Sequence, residues 1–179
     1  CSRSFNPMMK AKSLHCIAAL GLGLALGQAA DPVRERVAKG VATELPSLVS
    51  LYKHFHANPE LSFMEVETAK RLAAGLRAAG LKVTTGVGGH GIVGILKNGP
   101  GPTLLIRADM DGLPVQEETG LPYASKKQMV DEQGNTVYTM HACGHDVHIT
   151  SFVGTARMLG QLRDQWSGTL VMIGQPAEE

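Results

Sequence analysis

Two short apolar runs constrain the fold of this chain more than any other feature of its sequence. They are Thr103 to Arg107 (TLLIR) and Thr169 to Ile173 (TLVMI). Uninterrupted apolar runs of this length are typical of strands that are buried on both faces of a sheet. Between them lies a segment with one apolar face at helical spacing, formed by Ile149, Phe152, Val153, Ala156 and Leu159. The succession of strand, helix and strand indicates an α/β fold.

The residues before the first run continue this alternation. From Asp31 to about His56, apolar residues recur at three- and four-residue steps, which predicts a helix, and Pro46 predicts a kink or break within it. Ser62 begins a second predicted helix, in which Glu65 is the partner in a capping box, and Gly80 is expected just beyond its end. Two further strands are predicted at 81–85 and 92–97.

Because helices alternate with apolar strands, we predict a central, mostly parallel sheet that is flanked by helices and covered on both faces. In such sheets, ligands bind beyond the carboxyl ends of the strands. Asp109 and Asp111 follow the first apolar run, and Glu178 and Glu179 follow the second. We therefore expect these four carboxylates to meet at one rim of the sheet, together with residues 141–148.

The segment His141 to His148 (HACGHDVH) contains three of the seven histidines of the chain, with a cysteine and an aspartate. Imidazole nitrogen and thiolate sulfur are ligands that zinc and similar divalent metals prefer. Cys143 and His145 are two residues apart, so an extended or tightly turned backbone would direct both side chains to one side. Gly144 makes such a turn possible, and Asp146 is a predicted helix cap. The density of donors favours a metal site over a solvated loop.

Glu178 and Glu179 could divide the two tasks that metal-dependent hydrolysis assigns to carboxylates. One carboxylate ligates the metal, and another takes the proton from the attacking water. Adjacent residues of an extended backbone point to opposite sides, which would separate these roles. The pair follows a predicted buried strand, and this position favours a functional role over a solvated one.

Other acidic and basic residues near these elements have two interpretations each. Asp109 or Asp111 could support a ligating histidine from behind, as carboxylates commonly do, although an Asx turn would also explain Asp109. His54 and His56 could be ligands by residue type. They lie at the predicted end of the first helix, where a cation is favourable for the helix dipole, and we interpret them in this way.

Residues 1–30 have the pattern of a secretory signal. Two lysines precede the short apolar core Ile17–Leu26, and small residues follow it. The apolar core is too short to span a bilayer comfortably. We therefore predict a secreted or periplasmic protein in which residues 31–179 remain after the signal is removed. Cys143 is then its single cysteine, so no internal disulfide is expected.

The charge composition argues against two classes of partner. The chain has 17 Lys and Arg against 16 Asp and Glu, a net charge of +1, and no basic run longer than a dipeptide. We therefore expect no nucleic-acid partner and, once the signal is removed, no membrane partner.

Five motifs occur in order over residues 51–179, and they carry a specific resemblance. They are His56–Leu61 (HANPEL), Arg107–Pro114 (RADMDGLP), Leu121–Lys126 (LPYASK), Met140–His148 (MHACGHDVH) and Gln175–Glu179 (QPAEE). With these motifs the chain resembles the M20 metallopeptidase superfamily, in the amidohydrolase branch that includes hippurate hydrolase, N-acyl-amino-acid aminoacylases and auxin-conjugate hydrolases.

The resemblance implies the N-terminal part of a di-metal catalytic domain that hydrolyses the amide bond of N-acyl amino acids or peptides. Cys143, His145 and Glu179 match metal ligands of the family. Glu178 matches the general base that activates a metal-bound water, and Asp111 matches a carboxylate that steadies the site. The implied cofactors are two divalent ions, for which zinc, manganese, cobalt and nickel are the candidates.

The family pattern continues beyond the last motif of this chain. Its members add two ligating histidines, the remaining strands of the catalytic domain, and a lid domain that forms a homodimer. We therefore expect the complete protein to be a homodimer and residues 31–179 alone to be inactive. Two alternatives stay open: a dipeptidase of the same superfamily, and a truncated metal-binding module without activity.

Overall fold

The computed structural model describes residues 31–179, and the predicted leader at residues 1–30 lies outside the described residues. The described residues contain three α-helices: α1 (Pro32–Ala57), α2 (Val66–Ala78) and α3 (His145–Gln161). The strands are β1 (Lys82–Val87), β2 (Gly91–Asn98), β3 (Thr103–Asp109), β4 (Gln128–Val130), β5 (Thr136–Tyr138) and β6 (Gly168–Gln175). In the part of the chain that the structure describes, we find no helix with the length and apolar character of a membrane span.

The central sheet has four strands in the order β1-β2-β6-β3. β2 is antiparallel to both of its neighbours, β1 and β6, whereas β3 and β6 are parallel. The α/β class with a central sheet and flanking helices is confirmed, but the sheet is mixed and not mostly parallel. The reason lies in the connections, because a parallel neighbour needs a crossover of about a dozen residues or more. Only the segment from β3 to β6, which contains α3, provides one.

The core lies between the helices and one face of the sheet. α2 packs on β1 and β2, α3 packs on β3, and α1 packs on α3. Burying a large aliphatic side chain stabilises a fold by about 1.5–3 kcal/mol, so this layer holds most of the stabilising apolar area. Its largest fully buried side chains are Phe55, Leu72, Leu76, Ile92, Leu96, Met110, Ile149, Leu170 and Met172.

The opposite face of the sheet is open among the described residues. Along β6, Leu170 and Met172 are buried, whereas Val171 and Ile173, which point the other way, are only partly buried. In β3, Leu105, which is in register with Val171, is 56% exposed. The prediction that the sheet is covered on both faces is therefore wrong for residues 31–179, because all three described helices lie on one side.

The helix ends follow the sequence signals in part. The Asp31 side chain accepts a hydrogen bond from Val33 N at 2.9 Å and caps α1. Pro46 lies inside α1, which continues through it to Ala57, so of the predicted kink or break the break does not occur. Gly80 has φ +89° just beyond α2, as expected for the residue that ends a helix.

The start of α2 differs from the predicted capping box. α2 begins at Val66, and neither Ser62 nor Glu65 caps it with a side-chain hydrogen bond. The carboxylate of Glu60 instead accepts from Glu67 N at 3.3 Å and Thr68 N at 2.8 Å. Ser62 and Glu65 are consequently available for contacts with the end of the sheet.

Candidate metal centre

The rim at the ends of β3 and β6 brings together the segments that the sequence predicted to meet there. Asp109, the last residue of β3, is in register with Gln175, the last residue of β6. Just beyond them, Met110 N donates to Gln175 O at 3.0 Å. The parallel pairing therefore places the residues after both strands on the same edge of the sheet.

Asp111 is the buried centre of this rim. One carboxylate oxygen, Oδ2, accepts hydrogen bonds from Ser62 Oγ at 2.7 Å, Glu178 N at 2.8 Å and Glu179 N at 3.0 Å. Burial alone would raise the pKa of Asp111, but these hydrogen bonds outweigh it and lower the pKa below its ordinary value. The ionised side chain thus holds the backbone of both candidate glutamates.

The carbonyl group of Asp111 orients two histidines. It accepts hydrogen bonds from His141 Nδ1 at 3.1 Å and His145 Nδ1 at 2.9 Å. A carbonyl only accepts, so each Nδ1 carries a proton, and Nε2 is the atom of each ring that can offer a lone pair to a metal. Burial lowers the pKa of His141 to about 4, which keeps that ring neutral. This is the arrangement that commonly orients ligating histidines.

Three potential ligands lie close together at the rim. Donor atoms of Asp109, His145 and Glu178 all lie within 4.8 Å of one another, and within residues 31–179 this is the only such group of three. His145 Nε2 is 3.5 Å from Glu178 Oε2. Asp109 Oδ1 and Asp111 Oδ1 are buried and make no hydrogen bond, although they lie 3.2 Å from Arg107 Nη2 and 3.4 Å from His145 Nδ1. The carboxylate oxygens and the imidazole nitrogen of this group are donors that suit a divalent cation.

The predicted ligand set is divided between two neighbouring groups. Cys143 is exposed, and a hydrogen bond to the carboxylate of Glu179 raises the pKa of its thiol. His145 is buried and faces Glu178 instead. The adjacent glutamates therefore reach different partners, as the sequence predicted. Cys143, His145 and Glu179 do not form a compact triad within the described part of the chain.

His56 is a buried ion-pair partner, which differs from the predicted cation at a helix end. Its Nδ1 lies 2.6 Å from Asp146 Oδ2, and its Nε2 lies 2.9 Å from Glu117 Oε1. Burial alone would lower the pKa of His56, but the two carboxylates outweigh it and raise the pKa. Asp146 lies inside the first turn of α3, where its Oδ1 atom accepts from Val147 N at 2.8 Å, and Gly144 at φ +81° occupies the cap position, so the predicted capping position of Asp146 is wrong.

Two more side chains at the rim were not recognised as site residues from the sequence. Glu65 is fully buried and accepts a hydrogen bond from Ala177 N at 2.7 Å. Burial raises the pKa of Glu65, and the nearby charge of Asp111 raises it further. Ser62 donates to Asp111, as described above. The capping-box spacing pointed to both residues but suggested a purely local role.

A cavity of about 350 Å³ adjoins Glu179. Phe63, which is 67% exposed, stands at it beside Met64 and Leu113. The polar turn of the β4–β5 hairpin, residues 131–133, also lines it. The rim therefore offers an open, partly apolar space next to a candidate ligand.

Comparison with known families identifies the motif-bearing part of the chain. Residues 105–179 match the family described as peptidase family M20/M25/M40. This range contains Asp109, Asp111 and the cluster at 141–148, and it ends with the two glutamates. The candidate ligands and the candidate base all fall within the matched residues, whereas His56, Ser62 and Glu65 precede them.

Individual relatives share this region at high identity. N-acetylcysteine deacetylase of Bacillus subtilis is 44% identical over 138 residues, which covers 74% of this chain and 33% of the relative. Hippurate hydrolase of Campylobacter jejuni is 42% identical over 143 residues, with coverages of 75% and 34%. The chain thus spans about a third of the length of the curated relatives it matches.

A solved structure supports the fold and the kind of site. The YXEP protein of Bacillus subtilis, described as a dinuclear metal binding peptidase from the M20 family, superposes with a TM-score of 0.67 at 40% identity. The superposition covers 76% of this chain and 36% of that protein. The mixed sheet with its flanking helices corresponds to the fold of that structure.

Proposed function

Because the chain belongs to peptidase family M20/M25/M40, we propose that it supplies part of the active site of a metal-dependent hydrolase that cleaves the amide bond of N-acyl amino acids. The observation that carries this proposal is the meeting of Glu178 and Glu179 with the donors at the start of α3. Asp111 accepts hydrogen bonds from the backbone amides of both glutamates and from the rings of His141 and His145.

We assign the metal-holding role to Cys143, His145 and Glu179, with Asp109 as a further donor within reach of His145. When bound, divalent ions would polarise the scissile carbonyl group and lower the pKa of the attacking water. The nitrogen, sulfur and oxygen donors suit zinc, manganese, cobalt or nickel.

Glu178 is the proposed general base. Its side chain is 39% exposed, and it lies beside the Nε2 atom of His145, so a water molecule can reach its carboxylate. In the proposed reaction Glu178 takes one proton from water and passes it to the nitrogen of the leaving amine. Water is thereby added across the amide bond, which gives a carboxylic acid and an amine.

Asp111 keeps the base and the proposed ligand apart. Its Oδ2 atom fixes the amides of Glu178 and Glu179, and this fixes where each side chain leaves the backbone. Accurate placement matters because a displacement of about 1 Å can reduce a rate by roughly a hundredfold.

The proposed substrate class rests on the relatives and on the cavity. One relative is named for deacetylating N-acetylcysteine and another for hydrolysing hippurate, and both compounds are N-acylated amino acids. The cavity of about 350 Å³ beside Glu179 has room for an acyl group, and Phe63, Met64 and Leu113 supply apolar surface for it.

A dipeptidase is the alternative function, and one observation favours it. The YXEP protein, which shares 40% identity, is described as a peptidase. We further propose, from the leader pattern at residues 1–30, that the protein is secreted or periplasmic, and, from the family resemblance, that it is a homodimer.

The test of the proposed function compares Glu178→Gln with Glu179→Gln in the natural protein that contains this chain. Glu178→Gln should keep its metal and lose turnover of N-acetyl and N-benzoyl amino acids by about 10²–10⁴-fold, because only proton transfer is removed. Glu179→Gln should instead lose metal, which elemental analysis measures. Equal metal content in the two variants would refute the division of roles.

A dipeptide and an N-acyl amino acid that share the same C-terminal residue serve as matched substrates. Faster turnover of the N-acyl compound supports the amidohydrolase, and faster turnover of the dipeptide identifies the alternative. A wild-type protein that hydrolyses neither substrate with any of the four metals would contradict the proposal.

A further inference from the structure

We infer that Glu65 is a positioning residue for the candidate base and ligand, because it fixes the backbone turn from which both side chains emerge. The inference rests on the proposed roles of Glu178 and Glu179. Glu65 itself contacts neither their side chains nor, in the proposed mechanism, the substrate. It acts through the amide of Ala177.

The contact between Glu65 and Ala177 joins two distant parts of the chain inside the protein. Glu65 is 0% exposed, and its Oε1 atom accepts from Ala177 N at 2.7 Å. Its second oxygen, Oε2, is buried without a hydrogen-bond partner. A buried carboxyl group with an unsatisfied oxygen is unfavourable for folding by itself. Its presence here indicates that the hydrogen bond to Ala177 has a use beyond stability.

The backbone on both sides of this contact is in an uncommon conformation. Phe63 has φ +65° and Ala177 has φ +50°, and among the described residues these are the only non-glycine residues with positive φ. One lies two residues before Glu65, and the other is its hydrogen-bond donor. L-residues adopt this conformation only where the surrounding structure imposes it. The contact and the two turns therefore belong to one constrained arrangement.

Glu65 completes a row of three amides that two buried carboxylates hold. Ala177 N donates to Glu65, and the next two amides, of Glu178 and Glu179, donate to Asp111 Oδ2. With the left-handed turn at Ala177 held in this way, the two following side chains diverge. One faces His145, and the other faces Cys143.

A role in starting α2 does not explain Glu65. Its side chain makes no capping hydrogen bond, and the first free amides of α2 are bound by Glu60. Glu65 is the residue just before α2, so the helix fixes its position. The hydrogen bond from Ala177 to Glu65 thereby connects the residues after β6 to the start of α2.

The experiment measures amide hydrogen exchange by NMR in the full chain, for the wild type, Glu65→Ala and Glu65→Gln. In Glu65→Ala, exchange at Ala177, Glu178 and Glu179 should rise by about fivefold or more, the factor that corresponds to one typical hydrogen bond. Amides in the middle of β6, such as that of Met172, should be unchanged. Glu65→Gln retains an acceptor oxygen, so it should stay close to the wild type.

The matched control is Glu67→Gln, two residues further along in α2. Glu67 is exposed, and its side-chain contact is with Lys70, so this variant should leave all three amides unchanged. Unchanged exchange at residues 177–179 in Glu65→Ala would overturn the inference. So would an equal loss of protection throughout β6 in that variant, because the role of Glu65 would then be general stability.

If Glu65→Ala does not fold, Glu65→Met, which removes the acceptor oxygens but keeps most of the side-chain volume, takes its place. Raised exchange at residues 177–179 with the rest of β6 protected then supports the inference, and unchanged exchange at these residues refutes it.

A second readout connects Glu65 to the metal. Titration with Co²⁺, followed by visible absorption, should show about 10- to 100-fold weaker binding in Glu65→Ala, the usual effect of removing a group that orients ligands, and rescue in Glu65→Gln. If the wild type binds no Co²⁺, the proposed function fails while the exchange data still decide the role of Glu65. If it binds Co²⁺ and Glu65→Ala binds equally well, the inference fails alone.

Discussion

Asp111 is fully buried, and one of its carboxylate oxygens accepts three hydrogen bonds. Hydrogen bonds to a charged group contribute about 1.5–3 kcal/mol each, so Asp111→Asn should lower the free energy of unfolding by at least about that amount at pH 7. Urea denaturation measures the loss. The exposed acid Glu118 gives a control, because Glu118→Gln should change little.

The pH dependence of this effect has a defined sign. The folded-state pKa of Asp111 is below its ordinary value of 3.8. Its contribution is therefore present above pH 3.8 and is lost as the pH falls through the lowered value. The difference between wild type and Asp111→Asn should consequently shrink in acid. A difference that grows in acid would contradict an ionised Asp111.

Cys143 offers a spectroscopic test of the proposed ligand set. A thiolate bound to Co²⁺ gives a sulfur-to-metal charge-transfer band in the near ultraviolet, and Cys143→Ser should remove it. Metal binding must deprotonate the thiol, and Glu179 opposes this in the metal-free site by raising its pKa. Binding should therefore strengthen with rising pH. An identical spectrum in Cys143→Ser would exclude the cysteine as a ligand.

For individual residues, the sequence identified the residue types of the candidate site better than it identified their hydrogen-bond partners. The spacing of Asp109, Asp111 and the paired glutamates correctly predicted a common rim, because parallel strands end on the same edge. The spacing of Ser62 and Glu65 wrongly predicted a capping box, because such a pattern describes only hydrogen bonds between residues close in the sequence. Both side chains are used by residues more than forty positions away, and no local pattern contains that information.

At the scale of elements, His56 joins three segments. It lies in the last turn of α1, and it pairs with Glu117 in the long connection after β3 and with Asp146 in the first turn of α3. His56→Phe should reduce the free energy of unfolding by about 3–5 kcal/mol, because it leaves two buried carboxylates without a partner. Thermal and urea unfolding measure this. His54→Phe, in the same helical turn, is the matched control.

The contribution of His56 should disappear in alkali. Its folded pKa is raised above the ordinary 6.5, so the contribution is fully present below pH 6.5 and is lost as the pH rises through the raised value. The pKa of Glu117 is lowered from 4.5, so its contribution is lost in acid. The free energy of unfolding of the wild type should therefore exceed that of His56→Phe most at pH values between the lowered pKa of Glu117 and the raised pKa of His56. A difference that is constant up to pH 10 would refute a charged His56.

Element identity was more predictable than element contacts. The apolar runs and the glycine after α2 correctly gave strands and a helix end, since both depend on local periodicity and φ. The partners of His56 were not predictable, because a histidine at a helix end satisfies the dipole argument equally well when it is exposed. Burial alone separates the two cases.

For the whole molecule, the open face of the sheet predicts where the chain self-associates. Leu105→Thr lies on that face and should change stability by less than about 0.5 kcal/mol, because the leucine is already exposed. It should also raise the concentration at which light scattering detects association. Leu170→Ala, on the buried face of the neighbouring strand, should cost about 2–5 kcal/mol. Equal stability losses would contradict the assignment of faces.

The mixed direction of the sheet could have been inferred from loop lengths. The short connections around β2 cannot return the chain for parallel neighbours, whereas the segment that contains α3 can. The strand that occupies the middle of the sheet could not be inferred in this way. Its position depends on long-range packing of faces that have similar apolar residues. The sequence therefore indicated the α/β class but not the strand order.

The position of β6 has a consequence for how the chain reaches its native state. β2 and β3 leave the ribosome first, but in the finished sheet β6 lies between them. Until β6 is synthesised, these strands have no native partner on their facing edges, so the four-stranded sheet cannot close before residue 175 has emerged. Such non-local pairing slows folding and prolongs the exposure of apolar strand edges. In the nascent chain, the facing edges of β2 and β3 must therefore stay unpaired until β6, the last of the described strands, inserts between them.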